Sequence, residues 1–137
     1  MLPYDKLVIS FFDIKNWSDD MHSTFEKRLH LGFLQLHILH HASIHPIYGT
    51  WMMDELKDHG YDVGPSHVYP LLKELMQEGL LTMNEKNEHG KIRKYYQITS
   101  LGLSILKDLR EKAQELTEEI LDHHSKEEGK HESNSSR

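Results

Sequence analysis

Residues 63–81, V-G-P-S-H-V-Y-P-L-L-K-E-L-M-Q-E-G-L-L, constrain the fold more than any other stretch of the chain. Gly64 and Pro65 open it. Proline at the first helical position has its φ preset, and the N–H it lacks would have had no partner there. Val68, Leu71, Leu72, Leu75 and Met76 recur at helical spacing and form one apolar face. Gly79 ends the segment, because a left-handed residue closes a helix without a Cβ clash. Pro70 falls in the first turn and a half, where a slight kink is expected rather than a break. The segment is a short helix with Ser66, His67, Tyr69 and Lys73 gathered toward its start.

The flanking sequence fixes the company this helix keeps. Downstream, Leu80 to Lys86 and Lys94 to Thr99 read as two short strands around the polar loop Asn87-Glu88-His89-Gly90. A lone hairpin is marginal in water, so this one must lie against helices. Upstream, Ser23 to Glu26 forms a capping box, and a helix should run from there to about Ala42 on Phe25, Leu29, Phe33, Leu36 and Leu39. Pro46 closes that segment. A second helix is expected from Tyr48 to His59, with Trp51, Met52 and Leu56 inward and Gly60 as its cap. A last helix starts at Thr99 or Ser100. Its apolar positions Leu106, Leu109, Ala113, Leu116 and Ile120 alternate spacings of three and four, the pattern of a seam between helices.

Three helices followed directly by a hairpin is the winged-helix order. The expected class is therefore mainly α with a small β-hairpin: a winged helix-turn-helix domain followed by a long C-terminal helix. The expected organisation is an N-terminal arm over 1–20, the winged domain over 21–100, the long helix over 101–124 and a disordered tail over 125–137. Met21 is an alternative start.

Composition narrows the function. The chain has 137 residues, enough for one domain with a modest core. No apolar run approaches the ~20 residues that span a bilayer. The most apolar stretch, Leu7 to Phe12, lacks a basic start and a small-residue cleavage site, so a cytoplasmic protein without a membrane partner is expected. There is no cysteine, hence no disulfide, thiolate metal site or thiol nucleophile. No nucleophile elbow, P-loop or dinucleotide fingerprint appears, which argues against an enzyme and against a cofactor.

The formal charge of −6 counts against a nucleic-acid partner, but its distribution softens the objection. Residues 107–137 carry nine acidic and six basic side chains, whereas residues 57–96 carry six of each. Within the balanced stretch, Lys91, Arg93 and Lys94 fall together beside the hairpin loop. A basic wing can reach a DNA backbone or minor groove. A helix whose start offers Ser66, His67, Tyr69 and, one turn on, Lys73 can place hydrogen-bonding groups at base edges and phosphates. The competing reading is that Tyr69 is core and the rest are solvated polar residues.

Four blocks then resemble the PadR family of bacterial transcriptional regulators. Pro46-Ile47-Tyr48-Gly49 resembles the family's P-x-H-G-Y-E turn. Val63 to Leu81 resembles V-S-P-G-T-L-Y-P-L-L-x-x-L-x-x-x-G-L. Gly90 to Thr99 resembles the G-P-x-R-K-Y-Y-x-L-T wing, and Leu101-Gly102 with Leu106 resembles E-x-G-x-x-x-L. The resemblance spans about Phe33 to Leu106. It implies a homodimer held by the terminal helices, for which Phe25, Leu29, Leu106, Leu109, Ala113, Leu116 and Ile120 are the candidates. It further implies a repressor on a near-palindromic stretch of double-stranded DNA, with a single long C-terminal helix as in the short-chain branch. Aromatic effectors of relatives make a small planar ligand an expectation, with Trp51 and Trp17 as candidate contacts. Tyr48, Thr50, Ser66 and His67 depart from the family's preferred residues, and His67 does so at a candidate DNA-facing position.

Twelve histidines are many for this length. His37 and His41 are one turn apart, a spacing that can hold a metal, and His45 follows; His123 and His124 end the last helix. With no cysteine and no carboxylate at ligand spacing, the expectation is polar surface rather than metal. Two alternatives stay open: a winged-helix interaction or ligand-sensing module without DNA, and a metal-responsive regulator using these histidines.

Overall fold

A computed structural model describes residues 24–134, and side chains as far as Asp122. The expected arm over 1–20, Trp17, the Ser23 half of the capping box, and the side chains of His123 and His124 lie outside the described residues.

The elements are α1 (Thr24–Ile44), α2 (Gly49–Asp58), α3 (Pro65–Gln77), β1 (Leu81–Glu88), β2 (Lys91–Ile98) and α4 (Ser100–Asn134). The order matches the winged-helix expectation. Two compact units are recognisable, 1–103 and 104–137.

In the first unit, Leu34, Ile38, Ile47, Met52, Leu56, Val68, Leu72 and Leu81 are fully buried. Each contributes about 1.5–3 kcal/mol of burial. Two of the expected stripes shift. On α2, Met53 is buried and Trp51 only half-buried; on α3, Met76 is half-buried. The Trp51 ring packs against two histidines, 5.4 Å from His41 of α1 and 4.7 Å from His45 just beyond it.

Glycine closes two helices in the same way. The Tyr61 amide donates to the Leu56 carbonyl and the Gly60 amide to Lys57, with Gly60 at φ +89°. At the end of α3 the Leu80 amide donates to Leu75 and Gly79 to Met76, with Gly79 at φ +78°. These paired bonds satisfy carbonyls that a helix end leaves open. Pro70 leaves α3 continuous.

The hairpin is longer than its sequence suggests. β1 and β2 pair antiparallel from Leu81↔Ile98 to Glu88↔Lys91, leaving only His89 and Gly90 in the turn. Both have positive φ, +54° and +83°, the geometry that matches strand twist in a two-residue hairpin. The expected four-residue loop is therefore corrected: Asn87 and Glu88 join β1, and Lys91 to Arg93 join β2. The Asn87 side chain accepts a hydrogen bond from the Gly90 amide, which holds the tight turn. Ile47 adds an antiparallel bridge to Tyr96 through backbone bonds of 2.8 and 2.7 Å, a link the sequence did not announce.

Thr99 ties the end of α3 to the start of α4. Its hydroxyl donates to the Gly79 carbonyl at 2.6 Å and accepts from the Gly102 amide at 3.0 Å. This is the expected N-cap. The helix it opens continues to Asn134, so the expected disorder from Ser125 onward is not found through that residue. Lysine and glutamate are good helix formers and outweigh one internal glycine at a cost of about 1 kcal/mol. Among the described residues no helix is long and apolar enough to cross a membrane.

Candidate nucleic-acid interface

The exposed side of α3 carries Ser66, Tyr69, Pro70 and Lys73, which fall on one face of the helix. The opposite face is buried through Val68, Leu71, Leu72 and Leu75. Tyr69 is 43% exposed, so it is not a core residue. Its ring is set by Gly49, at the start of α2.

His67 is placed differently from its fellows. It sits half-buried at the third position of α3, and its Nδ1 accepts a hydrogen bond from the Gly64 amide at 3.3 Å. Gly64 has no side chain with which to cap the helix, so the reciprocal contact comes from the histidine. The ring is engaged in capping through Nδ1, while Ser66, Tyr69 and Lys73 stand exposed beside it.

Beside α3 lies the wing. Side chains alternate along a strand, so the pairing places Lys86, Glu88, Lys91, Arg93 and Tyr95 on one face and Lys94 on the other, with Met83 and the buried Tyr96. The three basic residues therefore do not form one cluster. Arg93 is also engaged. Its Nη1 lies 3.2 Å from a Glu88 oxygen, and its guanidinium lies 4.2 Å from the Tyr48 ring centre. Tyr95 meets the Tyr48 ring edge-on at 5.5 Å, donates its hydroxyl to Glu88, and carries Lys86 above its own ring at 5.1 Å. The hydrogen bond to Glu88 raises the Tyr95 phenol above its ordinary range. Sequence reasoning named neither Tyr48 nor Tyr95 as part of this cluster, because ring-on-ring contact between a helix start and a strand has no periodic signature.

Tyr48, Gly49, Thr50 and Tyr69 on one side and Glu88, His89 and Lys91 to Lys94 on the other border an open cleft of about 720 Å³. Trp51 does not line it. The elements that a winged helix presents to a duplex thus border a single groove.

The apolar candidates for self-association separate cleanly. On α1, Phe25 and Leu29 are exposed, as is Phe33 on the same face. On α4, Leu109, Ala113, Leu116 and Ile120 are exposed. Leu106 is the exception: at 1% exposure it is already buried within one chain and is not free to meet a second copy.

The histidines are brought together in part. His37 and His41 face His59, the residue that caps α2, whereas His45 turns away toward Trp51 and the Pro46 carbonyl.

Comparison with known proteins agrees with this architecture. Residues 38–108 match the transcriptional regulator PadR-like family. The transcriptional regulator Rv3488 of Mycobacterium tuberculosis is 39% identical over 88 residues, which cover 64% of this chain and 82% of that protein. The crystal structure of a PadR-like transcription factor from Bacteroides fragilis superposes with a TM-score of 0.64 at 28% identity, covering 72% of this chain and 96% of that one. A PadR family regulator from Eggerthella lenta superposes with a TM-score of 0.61 at 28% identity, covering 88% and 94%. These relatives are regulators, not enzymes. The helix order, the tight wing and the matched sequence together show that the chain belongs to the PadR-like family of transcriptional regulators.

Proposed function

We propose that the chain acts as a DNA-binding repressor, a homodimer on a near-palindromic operator. The observation that carries this reading is the exposed face of α3: Ser66, Tyr69 and Lys73 stand clear of the core beside a groove bordered by the wing. A helix so exposed, with polar groups near its N-terminus, suits the major groove, and Lys91 and Lys94 suit adjacent phosphates. Family membership supports the regulatory role.

The dimer would use the apolar rows that one chain leaves open: Phe25 and Leu29 on α1, and Leu109, Ala113, Leu116 and Ile120 on α4. A second copy related by a two-fold axis would set the spacing of the half-sites. A small planar effector would then act by favouring one dimer arrangement over another. Trp51, wedged between histidines, is a poorer candidate for its contact than the sequence suggested.

One observation favours the rival, an interaction module without DNA: Glu88 neutralises Arg93 in a chain whose net charge is already −6. Titration of the protein with DNA from the promoter of its own gene, across a range of salt, decides between them. Binding that weakens steadily with salt and is tighter than to unrelated DNA is expected. No binding at low salt would overturn the DNA reading.

A further inference from the structure

The geometry points to a site for one divalent transition-metal ion, held by His37 and His41 of α1, His59 at the end of α2, and the Glu55 carboxylate. One ring nitrogen from each histidine lies within 4.8 Å of the other two. A tetrahedral ion bound at ~2.0–2.1 Å separates its nitrogen ligands by roughly 3.4 Å, so side-chain rotations of about an ångström close the set. Glu55 completes it. Its Oε1 lies 3.7 Å from Nε2 of His41 and 3.7 Å from Nε2 of His59. The carboxylate is thus shared between two imidazoles, at neither of which it makes a normal hydrogen bond.

The second observation concerns His41 alone. Its Nε2 is buried and has no hydrogen-bond partner. Burying a polar atom without a partner is unfavourable, and a metal bond at that atom would remove the penalty. The surroundings favour the neutral ring that ligation needs. Burial lowers the pKa of His37 and of His41, each helped by neighbouring histidines and opposed by Glu55. The edge of Tyr61 against His37, 5.3 Å away, and of Trp51 against His41, 5.4 Å away, supply an apolar wall on two sides. Such a wall limits water at a metal centre.

Three imidazoles and one carboxylate suit zinc, nickel or copper, and not calcium or magnesium, which prefer all-oxygen sets. The elements explain why the set exists. His37 and His41 share a face of α1 at one-turn spacing, and Glu55 and His59 do the same on α2. The closing turn at Gly60 fixes His59 as the last residue before the chain turns toward α3. A bound ion would therefore clamp α1 to the end of α2. The inference stands apart from DNA binding, and its failure would leave the regulator reading intact.

Calorimetric titration of the full chain with zinc tests it, alongside the His37→Gln and His59→Gln variants and a His45→Gln control. His59 has a half-exposed side chain, so His59→Gln is expected to fold normally, which circular dichroism verifies. The expected result is one equivalent of zinc per chain, an affinity at least about tenfold lower in both cluster variants, and no change in the control. Thermal midpoints should rise with zinc in the parent chain and not in the variants. In a Trp17→Phe background, copper should quench Trp51 fluorescence, and His59→Gln should diminish the quenching. Saturation well below one equivalent, or binding that survives both cluster variants unchanged, would overturn the site.

Discussion

The ring of Tyr69 occupies the space that a β-carbon on Gly49 would fill: its Cε1 lies 2.6 Å from that position and its hydroxyl oxygen 2.7 Å. Contacts this short require one party to move. Tyr69 is the far end of a half-exposed side chain, so it will swing away before the helix does. Gly49→Ala should therefore leave stability within about 1 kcal/mol of the parent, because alanine also favours the helix. It should nonetheless weaken DNA binding by about tenfold through displacement of Tyr69. Urea unfolding and operator binding, measured on the same preparation, check both halves.

Gly102 presents the opposite case. A β-carbon there would lie 2.5 Å from the Leu80 carbonyl and 2.6 Å from Ile98 Cγ1. A backbone carbonyl held by the Thr99 amide cannot yield cheaply. Gly102→Ala should cost about 1–3 kcal/mol, the range for overpacking, read as a lower urea midpoint.

Lys73 stands exposed on α3 with no core role. Lys73→Ala should reduce affinity for all DNA sequences alike and lessen the slope of log K against log salt by about one per subunit. An unchanged slope would remove Lys73 from the interface.

Arg93 is held by Glu88 at 3.2 Å on an exposed face. Exposed pairs of this kind are worth about 0–1 kcal/mol. Glu88→Gln keeps an acceptor for Tyr95 while releasing the guanidinium charge and removing a negative one. Fluorescence anisotropy should show operator affinity rising by about two- to fivefold, with Arg93→Ala abolishing the gain.

Acidification should loosen the first unit. Burial holds His37 and His41 below their ordinary value of 6.5, so in the region below 6.5 the unfolded chain binds more protons than the folded one. Stability is then fully present above that value and is lost as pH falls toward the lowered pKa values. The urea midpoint should drop between about pH 7.5 and about pH 5.5, and the double variant His37→Gln/His41→Gln should flatten the change.

Much of this fold was legible because its signals are local. Gly64-Pro65 and Gly79 bracket α3, Gly60 ends α2, and Thr99 caps α4, each by a short-range rule that the coordinates repeat. Exposure of the α3 face followed from the apolar stripe on its other side. What escaped depends on pairs distant in sequence. The role of His67 follows from Gly64 lacking a side chain. The engagement of Arg93 requires Tyr48 and Glu88 to meet across a helix start and a strand. The histidine cluster needed Glu55 and His59, which lie on a different helix from His37 and His41, so spacing within α1 could show only half of it. Leu106 fits the seam of α4 as well as its neighbours do, and periodicity cannot tell a residue buried at home from one awaiting another copy.

The two-residue turn at His89-Gly90 also limits how this wing can evolve. With every position from Leu81 to Glu88 paired to one from Lys91 to Ile98, lengthening at the tip by one residue on each side leaves the existing rungs and both faces as they are. The reach grows by about 3.4 Å for each added rung. A single inserted residue instead enlarges the turn to three residues, stays behind as a bulge, or shifts the rungs by one and turns Tyr96 outward. Lengthening in even numbers therefore keeps the paired register, and each added rung presents its side chains to the face opposite the last.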